Sequence, residues 1–357
     1  MREYRTGSDV KNRWGSVRKV RFESQLMWLI KYAVENDGNI FSENDIQSII
    51  EKDRANREAI RLKITQTGWR RALRHFGAQI SYKSLVKDTI AFAKGVGIFT
   101  ISKGRVSCPL RIKELYSHQK FSQKEYESGI ISLLLNSKYR AYSLFLRRLQ
   151  DTNGHFYIPL AFKNRSRISG LPEFLKSNGF LTDVASFYTI RDLLYDLGLI
   201  NWRISSENCC EHIFLTCQIV PSVSVASDNY EDRINLDDGL TLLYNKKLNT
   251  LEFEEVLSRN YLSLSRQQWG VIVDLLELRE KVTEEICISD KQFNKIILQT
   301  MVGKTITAEL SQGTISFKPS SGLLIKALNC PVIGDGIYAT YIRVYKKTNM
   351  EELKDAN

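Results

Sequence analysis

The sequence predicts an α+β fold that is mainly helical, with tandem modules closed by short β-hairpins. Three observations predict it. Apolar residues recur at helical spacing along most of the chain. Twice, an amphipathic stretch runs into an apolar-Gly-apolar-apolar step and then into alternating residues around a polar turn: Val96-Gly97-Ile98-Phe99 before residues 100–108, and Leu197-Gly198-Leu199-Ile200 before residues 201–220. The 357 residues are 43% hydrophobic and 25% charged, an ordinary globular balance that excludes wholesale disorder and allows two or three cores.

Residues 1–21 read as a flexible basic arm. A helix follows from about Arg21 to Val34, with Phe22, Leu26, Leu29 and Ala33 on its buried face and Asn36-Asp37-Gly38 as its stop. Asn39-Ile40-Phe41 is a short strand, and Ser42 caps a second helix carrying Ile46, Ile49 and Ile50. A third helical stretch covers about Arg54 to His75, weakened by Gly68. The helix from about Ser84 to Lys94 leads into a hairpin whose tip is Lys103-Gly104.

Residues 124–150 read as one long helix or two short ones. Residues 151–172, with Asn153-Gly154, Pro159, Gly170 and Pro172, read as a connecting region. The second module has a helix at Phe187 to Asp196, strands at Asn201 to Ile204 and Glu211 to Val220, and a polar tip at Ser205 to Asn208. Pro221 to Asp232 is rich in Ser and Asp and reads as a linker. Helices near 250–259, 264–280 and 289–300 follow, then a hairpin at Ser311-Gln312-Gly313 between strands 305–310 and 314–318, and a last strand at 337–345. The expected domains are a module at 22–120, a second at 121–220, a linker at 221–233, a C-terminal α+β domain at 234–347 and a charged tail at 348–357.

Charge is unevenly spread. Residues 1–170 hold 32 Lys/Arg and 15 Asp/Glu, whereas residues 171–357 hold 19 and 25. The whole excess of +11 therefore lies in the N-terminal half, which points to a polyanion partner there. Six cysteines are too few for a disulfide scaffold, which fits a reducing, cytoplasmic setting. No apolar run approaches the roughly 18–20 residues of a bilayer span, so no membrane partner is expected.

Helices followed by a glycine step into a two-stranded hairpin resemble winged-helix proteins, over residues 22–116, 124–220 and, more weakly, 250–346. The resemblance implies a helix in the major groove and a wing on phosphate or in the minor groove. The first wing would present Lys103 and Arg105. The second would present Ser205 to Asn208 beside Glu207 and Glu211, a poor phosphate reader suited to protein contact.

Other basic residues extend the expected nucleic-acid surface. Arg54, Arg57 and Arg61 fall within about 60° of one another on a helix. Their alternative is a solvated face paired with Glu51, Asp53 and Glu58. Arg70, Arg71 and Arg74 lie where no acidic residue occurs between Glu58 and Asp88. Lys83 and Lys87 flank the next helix start. Arg147, Arg148, Lys163, Arg165 and Arg167 make a second set.

Motifs of chemistry fail on spacing, so no catalytic residue, metal ligand or cofactor is expected. Gly303-Lys304-Thr305 lacks the earlier glycine of a phosphate-cradling loop, because position 298 is Leu298. Gly336-Ile337-Tyr338 and Tyr341-Ile342-Arg343 are similar to GIY-YIG nucleases, but only two residues separate the halves and Arg343 replaces the second glycine. Asp9-Val10-Lys11 and Glu352-Leu353-Lys354, short matches to a nuclease metal motif, lie in the arm and the tail. Cys209, Cys210, His212 and Cys217 lack a C-x₂-C pair.

The sequence thus reads as a non-enzymatic recognition or adaptor subunit. Its basic half would bind duplex DNA and its acidic half a protein partner, by analogy of architecture in a prokaryotic restriction, antiphage or plasmid-maintenance complex. The alternatives are a diverged metal-dependent nuclease and a winged-helix scaffold that binds only protein.

Overall fold

Two helices end on the same glycine step. In the computed structural model, helices Tyr82–Val96 (α3) and Val184–Asp196 (α8) are followed by Gly97 and Gly198, at φ +83° and +75°. The next amide in each case reaches back five residues, Ile98 N–H to Ala93 O at 2.8 Å and Leu199 N–H to Leu194 O at 2.9 Å. This cap needs a left-handed residue, which glycine adopts without a Cβ clash. The structure describes residues 20, 22–52, 82–163, 166–178, 180, 184–205, 210–224, 229–300, 303–311, 332–333 and 337–347. They fall into two compact units, residues 20–245 and residues 246–347.

In the first unit, α1 (Glu23–Glu35) buries Leu26, Leu29, Ile30, Tyr32 and Ala33. Residues 43–52 form α2, whose Ser42 Oγ accepts from Asp45 N–H at 3.3 Å, as the sequence predicts. After α3 come β1 (Thr100–Ser102) and β2 (Arg105–Ser107), antiparallel and joined by Lys103-Gly104, both at positive φ. Such a two-residue turn matches the right-handed twist of its strands. Ile40 bridges to Arg105, so residues 38–41 flank β2 on the side away from β1.

Two helices, α4 (Leu110–Phe121) and α5 (Gln123–Leu135), follow, then α6 (Ala141–Asp151). The α4 helix is unanticipated. The stretch read as one or two helices at 124–150 is two, α5 and α6, parted at Asn136.

The expected connector at 151–172 is instead mostly strand: β3 (His155–Lys163) and β4 (Ser166–Ser169), then the start of α7 (Leu171–Ser177). Proline is rare inside sheets because it lacks the N–H donor. Pro159 is tolerated because β3 changes partner there: residues 155–159 pair with β6 (Cys210–Leu215) and residues 160–163 with β4. Beyond α8, β5 (Ile200–Ser205) pairs with β6, giving the order β4-β3-β6-β5. The strand expected over Glu211 to Val220 is two strands. A bend at Thr216-Cys217, held by Thr216 Oγ1 on Gly198 O at 2.8 Å, sends β7 (Gln218–Pro221) to another sheet. That sheet has the order β7-β9-β8, with β8 (Tyr230–Asn235) and β9 (Leu240–Lys246). The segment expected to link domains at 221–233 therefore contains the end of β7, a 3₁₀ turn at Ser222–Ser224 and the start of β8.

The second unit contains α9 (Thr250–Leu264), β10 (Val273–Asp274), α10 (Leu275–Ile286), α11 (Asp290–Thr300), β11 (Ile306–Ser311), β12 (Val332–Ile333), β13 (Ile337–Tyr338) and β14 (Tyr341–Lys346). One core gathers Phe253, Leu257, Tyr261, Leu278, Phe293 and Ile342. The helix expected at 264–280 is a loop, β10 and the start of α10, whose Asp274 Oδ1 caps the Leu276 and Glu277 amides at 2.8 and 3.0 Å. The β11 strand pairs with β14, and the expected partner at 314–318 lies outside the described residues.

Among the described residues one order recurs three times, with β4 added in the second copy and β12 and β13 in the third: helix, extended segment, two helices, then two strands, with the early segment paired to the last strand. It runs through α1, residues 38–41, α2, α3, β1 and β2; through α6, β3, α7, α8, β5 and β6; and through α9, β10, α10, α11, β11 and β14.

Candidate nucleic-acid interface

The hairpin of the first unit is held from behind. Gly38 N–H donates to Val106 O and Phe41 N–H to Gly104 O, both at 2.9 Å. Arg105 Nη1 donates to Gly38 O at 2.7 Å, which orients the guanidinium while leaving the residue exposed. Asp37 accepts from Cys108 N–H at 2.8 Å and pairs with Lys113 Nζ at 2.6 Å. The Lys113 hydrogen bond, helped by the Cys108 amide, holds the Asp37 carboxyl below its ordinary range. The acid that holds the amide just after β2 is thereby paired within the fold.

Around it the basic residues stay exposed: Lys87 and Lys94 on α3, Lys103 and Arg105 on the hairpin, and Arg111 on α4. None makes an ion pair among the described residues. Lys87 and Lys94 are seven residues apart and so lie within about 20° of each other around the helix. Arg111 lies over the α3 cap, since a Cβ on Gly97 would stand 2.5 Å from its Nη2.

The other expected contacts divide. Arg148 is exposed on α6, but its neighbour Arg147, about 100° around the helix, is paired with Asp238 and only 22% exposed. Lys83 lies on α3, Lys163 on β3 and Arg167 on β4, with side chains outside what is described. Arg54, Arg57, Arg61, Arg70, Arg71, Arg74 and Arg165 lie outside the described residues, as does the second hairpin tip at 206–209. Sequence reasoning passed over Lys94 and Arg111. The seven-residue step from Lys87 marks Lys94, whereas Arg111 sits on the unanticipated helix.

The helix at the matching place in the second copy is mostly buried. On α8, Ser186, Phe187 and every residue from Thr189 to Tyr195 are buried. Asp196 Oδ2 at its end accepts from Glu23 N–H at 2.7 Å. Glu211, expected near the second tip, is buried on Arg191, whose Nε also donates to Asp192 Oδ1 at 2.9 Å. The guanidinium lies 4.0 Å from the Trp202 ring centroid and 4.6 Å from that of Tyr188. Burial works against its charge, but Asp192 and Glu211 outweigh burial and raise its pKa. On the opposite face of the sheet, His155 Nδ1 and His212 Nε2 share a 2.8 Å hydrogen bond, with Tyr157 stacked on His212 at 4.4 Å.

The cysteine and glycine motifs resolve into structure. Cys217 is buried on Leu199 O at 3.2 Å, and burial pushes its thiol up to about 12. At Gly303-Lys304-Thr305, the amides of Lys304 and Thr305 donate to the Glu254 carboxylate at 2.8 and 2.7 Å, and the Thr305 hydroxyl donates to it as well. An internal anion thus occupies the amides that would face a phosphate. A Cβ on Gly303 would lie 2.5 Å from Glu254 Oε1 and 2.8 Å from Ile306 O, so the close approach requires glycine.

Among the described residues, no three His, Cys, Asp or Glu side chains gather as a metal site, and no helix is long and apolar enough to cross a membrane. The chain matches no protein-family profile, no curated protein and no solved structure.

Proposed function

We propose that this chain is a non-enzymatic DNA-binding adaptor built from winged-helix modules, with the first module on duplex DNA. The observation that carries the reading is the exposed basic surface of α3, the first hairpin and α4, from which Asp37 is withdrawn by Lys113. Phosphate recognition needs positive charges that no internal carboxylate neutralises, and Lys87, Lys94, Lys103, Arg105 and Arg111 make no ion pair among the described residues. The winged-helix part is supported by the recurring path, in which the early extended segment joins the hairpin beside its last strand. The corresponding helix α8 is buried along most of its length, which favours the first module as the one that meets DNA. A protein partner fits the acidic helices α9 and α10, where Glu252, Glu255, Glu277 and Glu285 are exposed.

The test is affinity of the full chain for duplex DNA across a salt series, with and without Mg²⁺. Changing Lys87, Lys94, Lys103 and Arg105 to Ala should weaken binding and flatten the salt slope by about 3.6, at about 0.9 per phosphate contact. The set Arg70, Arg71 and Arg74 to Ala should act in the same direction. Unchanged affinity and slope in both sets would remove the reading, and Mg²⁺-dependent cutting would replace it with a nuclease.

A further inference from the structure

The charge of the C-terminal half conceals a second boundary. Residues 171–287 hold 10 Lys/Arg against 19 Asp/Glu, whereas residues 288–347 hold 8 against 3. Both described acids of that last stretch are engaged. Asp290 is buried 3.3 Å from the Arg279 guanidinium, itself fully buried and 3.2 Å from Asn294 Oδ1. Glu309 accepts from the Tyr345 hydroxyl at 3.1 Å and stands opposite Arg343 in the β11–β14 register.

The lysines converge at one end of that sheet. Ile306 pairs with Lys346, and Lys347 N–H donates to Thr305 O at 2.9 Å, so Lys304, Lys346 and Lys347 meet where β11 begins and β14 ends. The Lys347 ammonium is tied to Gly303 O. Lys304 and Lys346 are exposed, and neither has an acidic partner among the described residues. The Glu254 carboxylate is buried and already taken by the Lys304 and Thr305 amides. The preceding helix, α11, adds exposed Lys295.

We infer that this end of the β11–β14 sheet, with Lys295, is a second surface for duplex DNA. Lysines on flexible stems, free of acidic partners, present mobile point charges that suit the phosphate backbone, and exposed Arg343 lies on the same strand. The inference rests on the DNA-binding reading above but uses different residues, so each can fail alone.

The experiment compares three full-length proteins on one random-sequence duplex: the parent, K295E/K304E/K346E, and the first-surface variant K87A/K94A/K103A/R105A. Lys347 is left alone because it holds the loop. The charge-reversed protein should lose at least about 10-fold in affinity near 100 mM salt, with a slope flatter by about 2.7. Its thermal unfolding should match the parent, and the neutral K295Q/K304Q/K346Q gives a milder form of the same test if reversal impairs folding. Parent-like binding by the C-terminal variants, with the first-surface variant weakened, overturns this inference and leaves the proposed function. Parent-like binding by all of them overturns both.

Discussion

The Arg191 cluster gives the sharpest energetic prediction. Glu211→Gln keeps shape and removes one charge from a guanidinium that is buried between Trp202 and Tyr188. Removing one partner of a buried ion pair costs about 3–5 kcal/mol, because the other charge stays buried without its full compensation. Arg191 keeps Asp192 at 2.9 Å, so the lower end applies, about 3 kcal/mol. For a unit of this size that is roughly 6–12 °C in Tm. The assay is urea and thermal unfolding, followed by far-UV circular dichroism and by tryptophan fluorescence. Trp202 is buried against the guanidinium and reports the local transition. The triple change Arg191→Met, Asp192→Leu, Glu211→Leu removes every charge while filling the space, and should return to within about 2 kcal/mol of the parent. A Glu211→Gln cost below about 1 kcal/mol would mean that solvent reaches the pair, and would refute the reasoning.

Three further outcomes are expected. Gly97→Ala forces a side chain into a cap at φ +83°, so it should destabilise the first unit by about 1–2 kcal/mol in chemical denaturation, and a neutral result would show that the cap relaxes. Burial pushes the Glu254 carboxyl up, but the Thr305 hydroxyl and the Thr305 and Lys304 amides outweigh it and hold its pKa below the ordinary value. Its stabilisation is therefore present above the unfolded value near 4.3 and lost as pH falls through the depressed folded value; Tm measured against pH should fall more steeply in acid for the parent than for Glu254→Gln, and parallel curves would contradict this. Phe187→Ala and Phe253→Ala each delete a fully buried ring and should cost about 3–5 kcal/mol, read by hydrogen exchange as loss of protection in residues 184–215 and 250–300 respectively; loss spread evenly over the chain in both variants would speak against separate cores.

Where local pattern and packing agree, the sequence is legible. Gly97 and Gly198 announce two helix ends, and Lys103-Gly104 announces a hairpin, because each depends on backbone geometry that neighbours alone decide. The α4 helix escapes because Leu110 and Phe121, at its two ends, are 71% and 83% exposed, which breaks the apolar rhythm. The β3 strand escapes because Pro159 speaks against a strand until its two partners are known. The candidate site divides along the same line. Lys103 and Arg105 can be read from a turn. That Asp37 is taken by Lys113, or Arg147 by a carboxylate from the β8–β9 turn, depends on contacts between residues far apart in the chain.

Pro159 has a consequence for how the central strand finds its place. In an antiparallel ladder, opposed residues alternate between exchanging two hydrogen bonds and exchanging none. A proline fits only the second kind, and here its own carbonyl is taken by Gly170 N–H at 2.6 Å. Sliding β3 by one residue along β6 would bring Pro159 to a position that demands a donor. The same slip would turn Phe156 and Ile158 out of the core and His155 and Tyr157 into it. A single imino acid thus works as a ratchet tooth: the pairing of β3 with β6 cannot close in an alignment shifted by one residue.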